Sequence, residues 1–303
     1  MLGIQFFYGR KSAMTLQRYD IFNKVVQFQN ISKAASELHL TQPGISNAIK
    51  TLEEDLGVKL LIRNRTGISL TREGEKIYQY SLKITKLNDA LFQEASALRG
   101  LETGVIKVGS FASVTANWMP IIIKRFNEKY PGITVNIYED DYLNLEKAVL
   151  SGELDCCFNT YVNTKGICFT PLIKDKLYCI VSLESPLSTQ LKVKANQLEE
   201  FPLIKPKKGW DNEVAAFFKE HHIQQKVRYE VSDDQSILAL VEANLGINIR
   251  PELVLKGVRN KIKAIELEEN TYRTIGICTT SQISHATKMF VETVKELYQK
   301  IDN

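Results

Sequence analysis

A multidomain α/β chain that opens on an all-helical module is the fold class the sequence predicts, and three successive textures predict it. From about Leu16 to Leu61 apolar residues recur at short helical spacings, and from about Arg72 to Leu98 one long helical stretch runs without proline. Beyond Gly104, short β-branched runs alternate with amphipathic helices, the pattern of an α/β domain. The 303 residues are enough for about two domains. With 44% hydrophobic and 24% charged residues the chain can bury proper cores, which excludes a disordered or low-complexity protein.

The helical module is read element by element. Ile21, Phe22, Val25, Val26 and Phe28 mark a first apolar helix, ended by Asn30. Ser32 is the expected N-cap of a short second helix carrying Ala34, Ala35 and Leu38, and its two small residues admit a close neighbour. Leu40-Thr41-Gln42-Pro43-Gly44 makes a tight turn, with Thr41 as cap and Pro43 tolerated in the first turn of the next helix. That third helix, Gln42 to Leu56, buries Ile45, Ile49, Leu52 and Leu56 and stops at Gly57.

Burying one side of that helix leaves Ser46, Asn47 and Lys50 on the other, near its N-terminus. Two short helices joined by a tight turn, the second led by small polar and basic groups, describe a helix-turn-helix. Asparagine can pair bidentately with adenine, serine can reach a base or phosphate, and lysine a phosphate or guanine. Leu60-Leu61-Ile62, the tip Arg63-Asn64-Arg65-Thr66-Gly67, and Ile68 to Thr71 then form a β-wing that can lay Arg63 or Arg65 on a sugar-phosphate backbone or in a narrow minor groove. Charge agrees with a polyanionic partner here: through Gly100 there are 14 Lys+Arg against 9 Asp+Glu, and 25 against 26 afterwards.

Thr71 caps the long helix, with Glu73 and Glu75 in its first turn. Ile77, Tyr80, Ile84, Leu87, Leu91, Ala95 and Leu98 form an apolar stripe of nearly four heptads, whose economical use is pairing with a second copy.

This ordered series resembles the LysR-type family of bacterial transcriptional regulators. The resemblance is carried by residues 32–38 (SKAASEL), 41–46 (TQPGIS), 49–53 (IKTLE), 56–60 (LGVKL), Arg63 and 70–74 (LTREG). It covers nearly the whole chain and thins after Gly104. It implies DNA contacts from Ser32, Thr41, Gln42, Pro43, Ser46, Asn47, Lys50, Arg63 and Arg65, a homodimer or homotetramer on promoter DNA, and RNA polymerase as partner when activating. Met14 fits the family's start better than Met1, which makes residues 1–13 an extension or a misassigned start. The expected divisions are a winged helix-turn-helix at 14–71, a dimerisation helix at 72–100 and an effector domain at 104–303.

For that last domain the resemblance implies a two-lobed, periplasmic-binding-protein-like fold with a small-molecule cleft. Lobe I takes about 104–171 and 270–303, and lobe II about 172–269. Val105 to Ser110 and Ile133 to Tyr138 read as strands flanking a helix opened by Met119-Pro120, and Leu150 to Phe158 as the strand entering the cleft. Pro171-Leu172 reads as the first crossover, and Leu238 to Pro251 as helix, glycine turn and strand. Carried over by position, effector contacts fall on Ser110, Ser113, Asn159 and Thr160 from one lobe and on Lys205 and Trp210 from the other. Hydroxyls beside a helix start, faced by a lysine, favour an anionic effector such as a carboxylate. Arg250 stands where the family carries an apolar residue, and its place, cleft or surface ion pair, is left open.

Other function classes find little support. No apolar run approaches the ~20 residues that span a bilayer, and Ile4 to Tyr8 is too short for a signal core and precedes its charges, so a cytoplasmic protein is expected. Cys156, Cys157, Cys168, Cys179 and Cys278 lack CxxC spacing and read as small buried hydrophobes. An enzyme using Cys156 or Cys157 would need His221 or His222 from far along the chain, and no phosphate loop, HExxH or GxSxG motif is present. A DNA-architectural protein without ligand binding is the other alternative. No catalytic residue, metal or cofactor is expected.

Overall fold

Residues 12–64, 67–100, 102–206, 212–256 and 261–299 are described by a computed structural model, and they divide into two units, the first running to Leu98 and taking in Ser151–Glu153, the second holding the rest. Arg65, Trp210 and most of the 1–13 segment lie outside the described residues.

In the first unit, α1 (Ser12–Phe28), α2 (Ile31–Glu37) and α3 (Gln42–Leu56) close on a core that includes Phe22, Val25, Ile45, Leu52 and Leu60. Ala34 and Ala35 are buried where α2 meets it, as small residues at a close approach should be. The cap of α2 is not Ser32 but Asn30, whose side chain accepts from the Lys33 amide at 3.0 Å. Helix α2 begins two residues earlier than expected because asparagine holds an extended backbone there and reaches the same orphan amides. Thr41 caps α3 by accepting from Gly44 N–H, and Gly57 ends it at φ 70°, a left-handed conformation that glycine adopts without strain.

Strands β1 (Leu61–Asn64) and β2 (Gly67–Leu70) pair antiparallel as the wing. Glu53 of α3 fixes its base, accepting from Leu60 N–H at 2.9 Å and from Lys59 Nζ at 2.6 Å. Burial pushes the Glu53 carboxyl up, but the bonds from Lys59, Leu60 and Leu61 outweigh it, and the group lies below its ordinary value. Helix α4 (Arg72–Ala97) starts at Thr71, which accepts from Gly74 N–H and donates to Lys59 C=O. A Cβ on Gly74 would sit 2.1 Å from the Leu60 carbonyl oxygen, so only glycine lets the helix start this close to the wing. On the other face of α4, Tyr80, Leu87, Leu91, Phe92 and Leu98 are exposed.

The second unit begins with β3 (Gly104–Ser110), α5 (Ala112–Asn117), α6 (Met119–Lys129), β4 (Ile133–Glu139), α7 (Tyr142–Ser151) and β5 (Cys156–Thr160). The strand expected from Leu150 to Phe158 therefore starts only at Cys156, because α7 runs to Ser151 and a turn takes residues 152–155. Next come β6 (Cys168–Ser182), β7 (Lys192–Val193), β8 (Leu203–Pro206), α8 (Asn212–Glu220), β9 (Val227–Val231) and α9 (Asp234–Glu242). Last are β10 (Asn248–Pro251), α10 (Glu252–Leu255), β11 (Ile262–Leu267), β12 (Tyr272–Thr279) and α11 (His285–Tyr298).

An eight-stranded sheet runs β4-β3-β5-β12-β6-β11-β7, with β10 also on β6. Strand β6, 15 residues long, joins its two halves: the first part pairs with β12, and from Leu177 to Ser182 it pairs with β10 or β11. The core changes along it. Leu172 packs with Val108, Phe126, Phe158 and Phe290, whereas Leu177 packs with Phe217, Ile249 and Leu267. Two lobes on one continuous strand leave a cleft where the core changes. No helix among the described residues is long and apolar enough to cross a membrane.

Candidate nucleic-acid interface and effector cavity

Burying Ile45, Ile49 and Leu52 turns the other side of α3 outward, where Asn47 and Lys50 are exposed and Ser46 is half-buried. Thr41, Gln42 and Pro43 are exposed at its start. Two contacts join this surface to its neighbours. Gln42 Nε2 donates to the Ser32 hydroxyl at 2.7 Å, linking α3 to α2, and Arg63 Nη2 donates to the Ser46 hydroxyl at 3.4 Å, bringing the wing against α3. Lys50 lies 3.7 Å from Glu54 one turn on, an exposed pair of small energetic weight that leaves its ammonium available. The result is one open polar and basic face.

The second unit holds a cavity of about 340 Å³. That is the size of a small-metabolite site. One wall is Phe111, Ser113, Tyr142 and Arg273, and the facing wall is Glu213, Val214, Asp233, Asp234 and Leu238. Arg250 and Pro251, at the end of β10, Lys256 and Glu139 also line it.

Arg273 organises the first wall from β12. Its Nε and Nη2 reach Asp175 at 2.8 Å, Nη1 donates to the Tyr142 hydroxyl and Nη2 to the Ser113 hydroxyl, both at 2.9 Å. The guanidinium also lies 5.1 Å from the Phe111 ring centroid. Asp175 is its cross-strand partner, and that carboxylate further accepts from Leu253 N–H at 3.0 Å. Burial pushes the Arg273 pKa down, but the charges around it outweigh this and hold it above its ordinary value. Burial and the charges of Glu213 and Asp234 push Tyr142 up to about 12 against the opposing pull of Arg273, so its phenol stays protonated.

Arg250 is 3% exposed and both lines the cavity and pairs with Asp234, Nη2 to Oδ1 at 3.0 Å. Arg250 thus carries charge to the cavity wall. Asp233 caps α9, accepting from the amide and hydroxyl of Ser236, and those bonds hold its carboxyl below the ordinary value. In total the lining has four carboxylates (Glu139, Glu213, Asp233, Asp234) against three cations (Arg250, Lys256, Arg273).

Of the residues expected to hold an effector, Ser113 lines this cavity. Ser110, Asn159, Thr160 and Lys205 are not part of its lining. Ser110 is wholly buried, and Asn159 is engaged with the Tyr142 carbonyl and the Thr160 amide. Sequence reasoning missed Tyr142, Glu213, Asp234 and Arg273. A usable signal was the one arginine in the apolar run Tyr272–Thr279, a charge that a central strand tolerates when a partner such as Asp175 on the neighbouring strand pairs with it.

Four cysteines are buried as expected, but Cys168 is exposed at the start of β6, where the strand has not yet entered the core. The bond to Cys278, with burial, pushes the Cys157 thiol well above its ordinary value, which disfavours a thiolate nucleophile. No group of three or more His, Cys, Asp or Glu among the described residues is placed to hold a metal.

Comparison with known proteins accounts for both regions. Residues 16–75 match the bacterial regulatory helix-turn-helix protein, lysR family, and residues 99–299 match the LysR substrate binding domain. The chain is 27% identical over 290 residues to YvbU of Bacillus subtilis, an uncharacterised HTH-type transcriptional regulator, covering 94% of this chain and 99% of that one. Two solved structures share its fold. A full-length variant of OxyR from Pseudomonas aeruginosa has a TM-score of 0.78 at 19% identity, covering 97% and 100% of the two chains. Full-length CbnR complexed with its target DNA has a TM-score of 0.66 at 24% identity, covering 93% and 99%. The helix-turn-helix, the two-lobed α/β unit and these matches lead to one identification: the chain belongs to the LysR family and is a DNA-binding transcriptional regulator with an effector-binding domain, not an enzyme.

Proposed function

We propose that this regulator reads duplex DNA through the exposed side of α3 and is controlled by a small molecule held in the cavity of the second unit. The observation that carries the reading is the open face on which Ser32, Gln42, Ser46 and Arg63 are joined in pairs beside Asn47 and Lys50. Asn47 and Ser46 are assigned to base edges, and Lys50, Arg63, Arg65, Ser32, Thr41, Gln42 and Pro43 to the backbone or to positioning the helix. The CbnR–DNA complex supports this assignment by its fold. Residues 14–71, 72–100 and 104–303 serve as the working divisions of the chain. A cytoplasmic setting, with RNA polymerase as partner when the protein activates, completes the reading.

The exposed residues of α4, from Tyr80 to Leu98, are assigned to pairing between two copies, since a free helix does not leave five large apolar side chains in water without cost. Leu87→Glu should cost several kcal/mol of association if the glutamate is buried in that seam. Sedimentation reads the effect, and wild-type association of the variant would remove α4 as the interface. In the cavity, an acidic group of the effector is assigned to Ser113, Arg250 and Arg273, which present a hydroxyl and two guanidinium groups to the space. Selection of binding sites from a random duplex pool by the full-length protein tests the whole reading. It should enrich a two-fold related sequence with half-sites in register with the helical repeat. A pool that stays unenriched would contradict it.

A further inference from the structure

We propose that the effector is a zwitterion, a small amino-acid-like molecule whose carboxylate lies toward Arg250 and Arg273 and whose ammonium lies toward Glu213. This inference rests on the cavity being the effector seat and adds the sign and placement of the ligand's charges.

Charge balance in the cavity points to it. Each cavity arginine already has a carboxylate: Arg250 has Asp234, and Arg273 has Asp175 behind the wall. Both side chains are nearly inaccessible, so their charges are balanced at short range and add little net positive potential to the space. Lys256, Glu139 and Asp233, by contrast, are exposed, where water and salt screen their charges. Glu213, half-buried on α8, faces the same space and has no ion-pair partner among the described residues. Its charge is felt by both Tyr142 and Arg273 across the cavity. A simple anion would therefore add charge to a lining already richer in carboxylates. A simple amine would satisfy Glu213 but offer no acceptor to the guanidinium and hydroxyl donors of the opposite wall. A molecule carrying both charges meets a complementary group at each end, adds no net charge, and at the size of an amino acid fits about 340 Å³. The guanidinium donors and the Ser113 hydroxyl supply the directed bonds that a carboxylate needs.

The test is calorimetry on the full-length protein with each of the twenty protein amino acids, ornithine and the common β- and γ-amino acids. Each is compared with its Nα-acetyl derivative, which loses the α-ammonium, and its α-methyl ester, which loses the α-carboxylate. At least one free amino acid should bind, with either blocked form weaker by about tenfold or more, the loss of one charge-assisted contact. Glu213→Gln should remove the preference over the N-acetyl form, and Arg250→Met the preference over the ester; unfolding midpoints without ligand report that each variant is folded. An N-acetyl form or an ester that binds as tightly as the free amino acid, or a panel in which nothing binds, would overturn the proposal. N-acetyl binding that disappears in Arg250→Met would still leave the cavity as the effector seat. Amino-acid binding indifferent to both substitutions would take the cavity reading down as well.

Discussion

The two units place their functional groups in opposite physical settings. On the face assigned to DNA, Asn47, Lys50 and Arg63 are exposed, and the contacts that organise the surface join residues 10 and 17 positions apart. In the effector unit, Arg250 and Arg273 are each 3% exposed, and Arg273 draws together groups 98, 131 and 160 positions away. The first arrangement is a surface whose parts can be removed one at a time. The second is a buried network in which each part holds another, so function and stability cannot be separated there. This division yields graded expectations.

The largest effect is expected in the network. Asp175→Ala would leave the Arg273 guanidinium buried without its carboxylate, and should cost roughly 3–5 kcal/mol of unfolding free energy. Denaturant unfolding of the second unit measures it, and a midpoint equal to wild type would mean that the pair carries no such weight. A smaller effect is expected where Glu53 ties α3 to the wing. Glu53→Ala removes the acceptor of the buried Leu60 amide and should cost about 1–3 kcal/mol. The Glu53 carboxyl is held below its ordinary value of 4.5, so its contribution is present above that pH and is lost as pH falls toward the folded value. Acid unfolding curves of wild type and Glu53→Ala should therefore converge at low pH; a constant difference would contradict the sign. The smallest effect belongs to the surface. Arg63→Ala should leave the unfolding midpoint unchanged and lower the salt slope of DNA binding by about one. An unchanged slope would place the wing away from phosphate.

The same contrast explains how much could be read from the amino acids. The helix-turn-helix was legible because its signals are local: apolar spacing, the Thr41 cap, the Gly57 stop and the trio Ser46, Asn47 and Lys50 on the outward side all lie within a few turns. Even there Ser32 was misplaced as a cap, since Asn30 competes for the same amides. The α/β texture of the second unit was legible too. Its cavity was not, because Ser113, Glu213, Arg250 and Arg273 meet only through the register of β6 with β10 and β12 and the fold of both lobes. Of the residues carried over by position, Ser113 lines the cavity, Lys205 lies off its lining and Trp210 lies outside the described residues. Arg250, left open between cleft and surface ion pair, lines the cavity and pairs with Asp234.

The most direct test of the central claim is an equilibrium binding titration of wild type and Asn47→Ala on a selected site and its full set of single-base variants. Asn47 is exposed on α3 and its side chain is not required by the core, so the variant should fold and keep its non-specific affinity. The account predicts a loss of about 1–3 kcal/mol on the selected site, concentrated at one or two base pairs in each half-site, where the variant no longer discriminates. Binding by Asn47→Ala equal to wild type at every variant site would contradict the assignment of α3 as the helix that reads DNA.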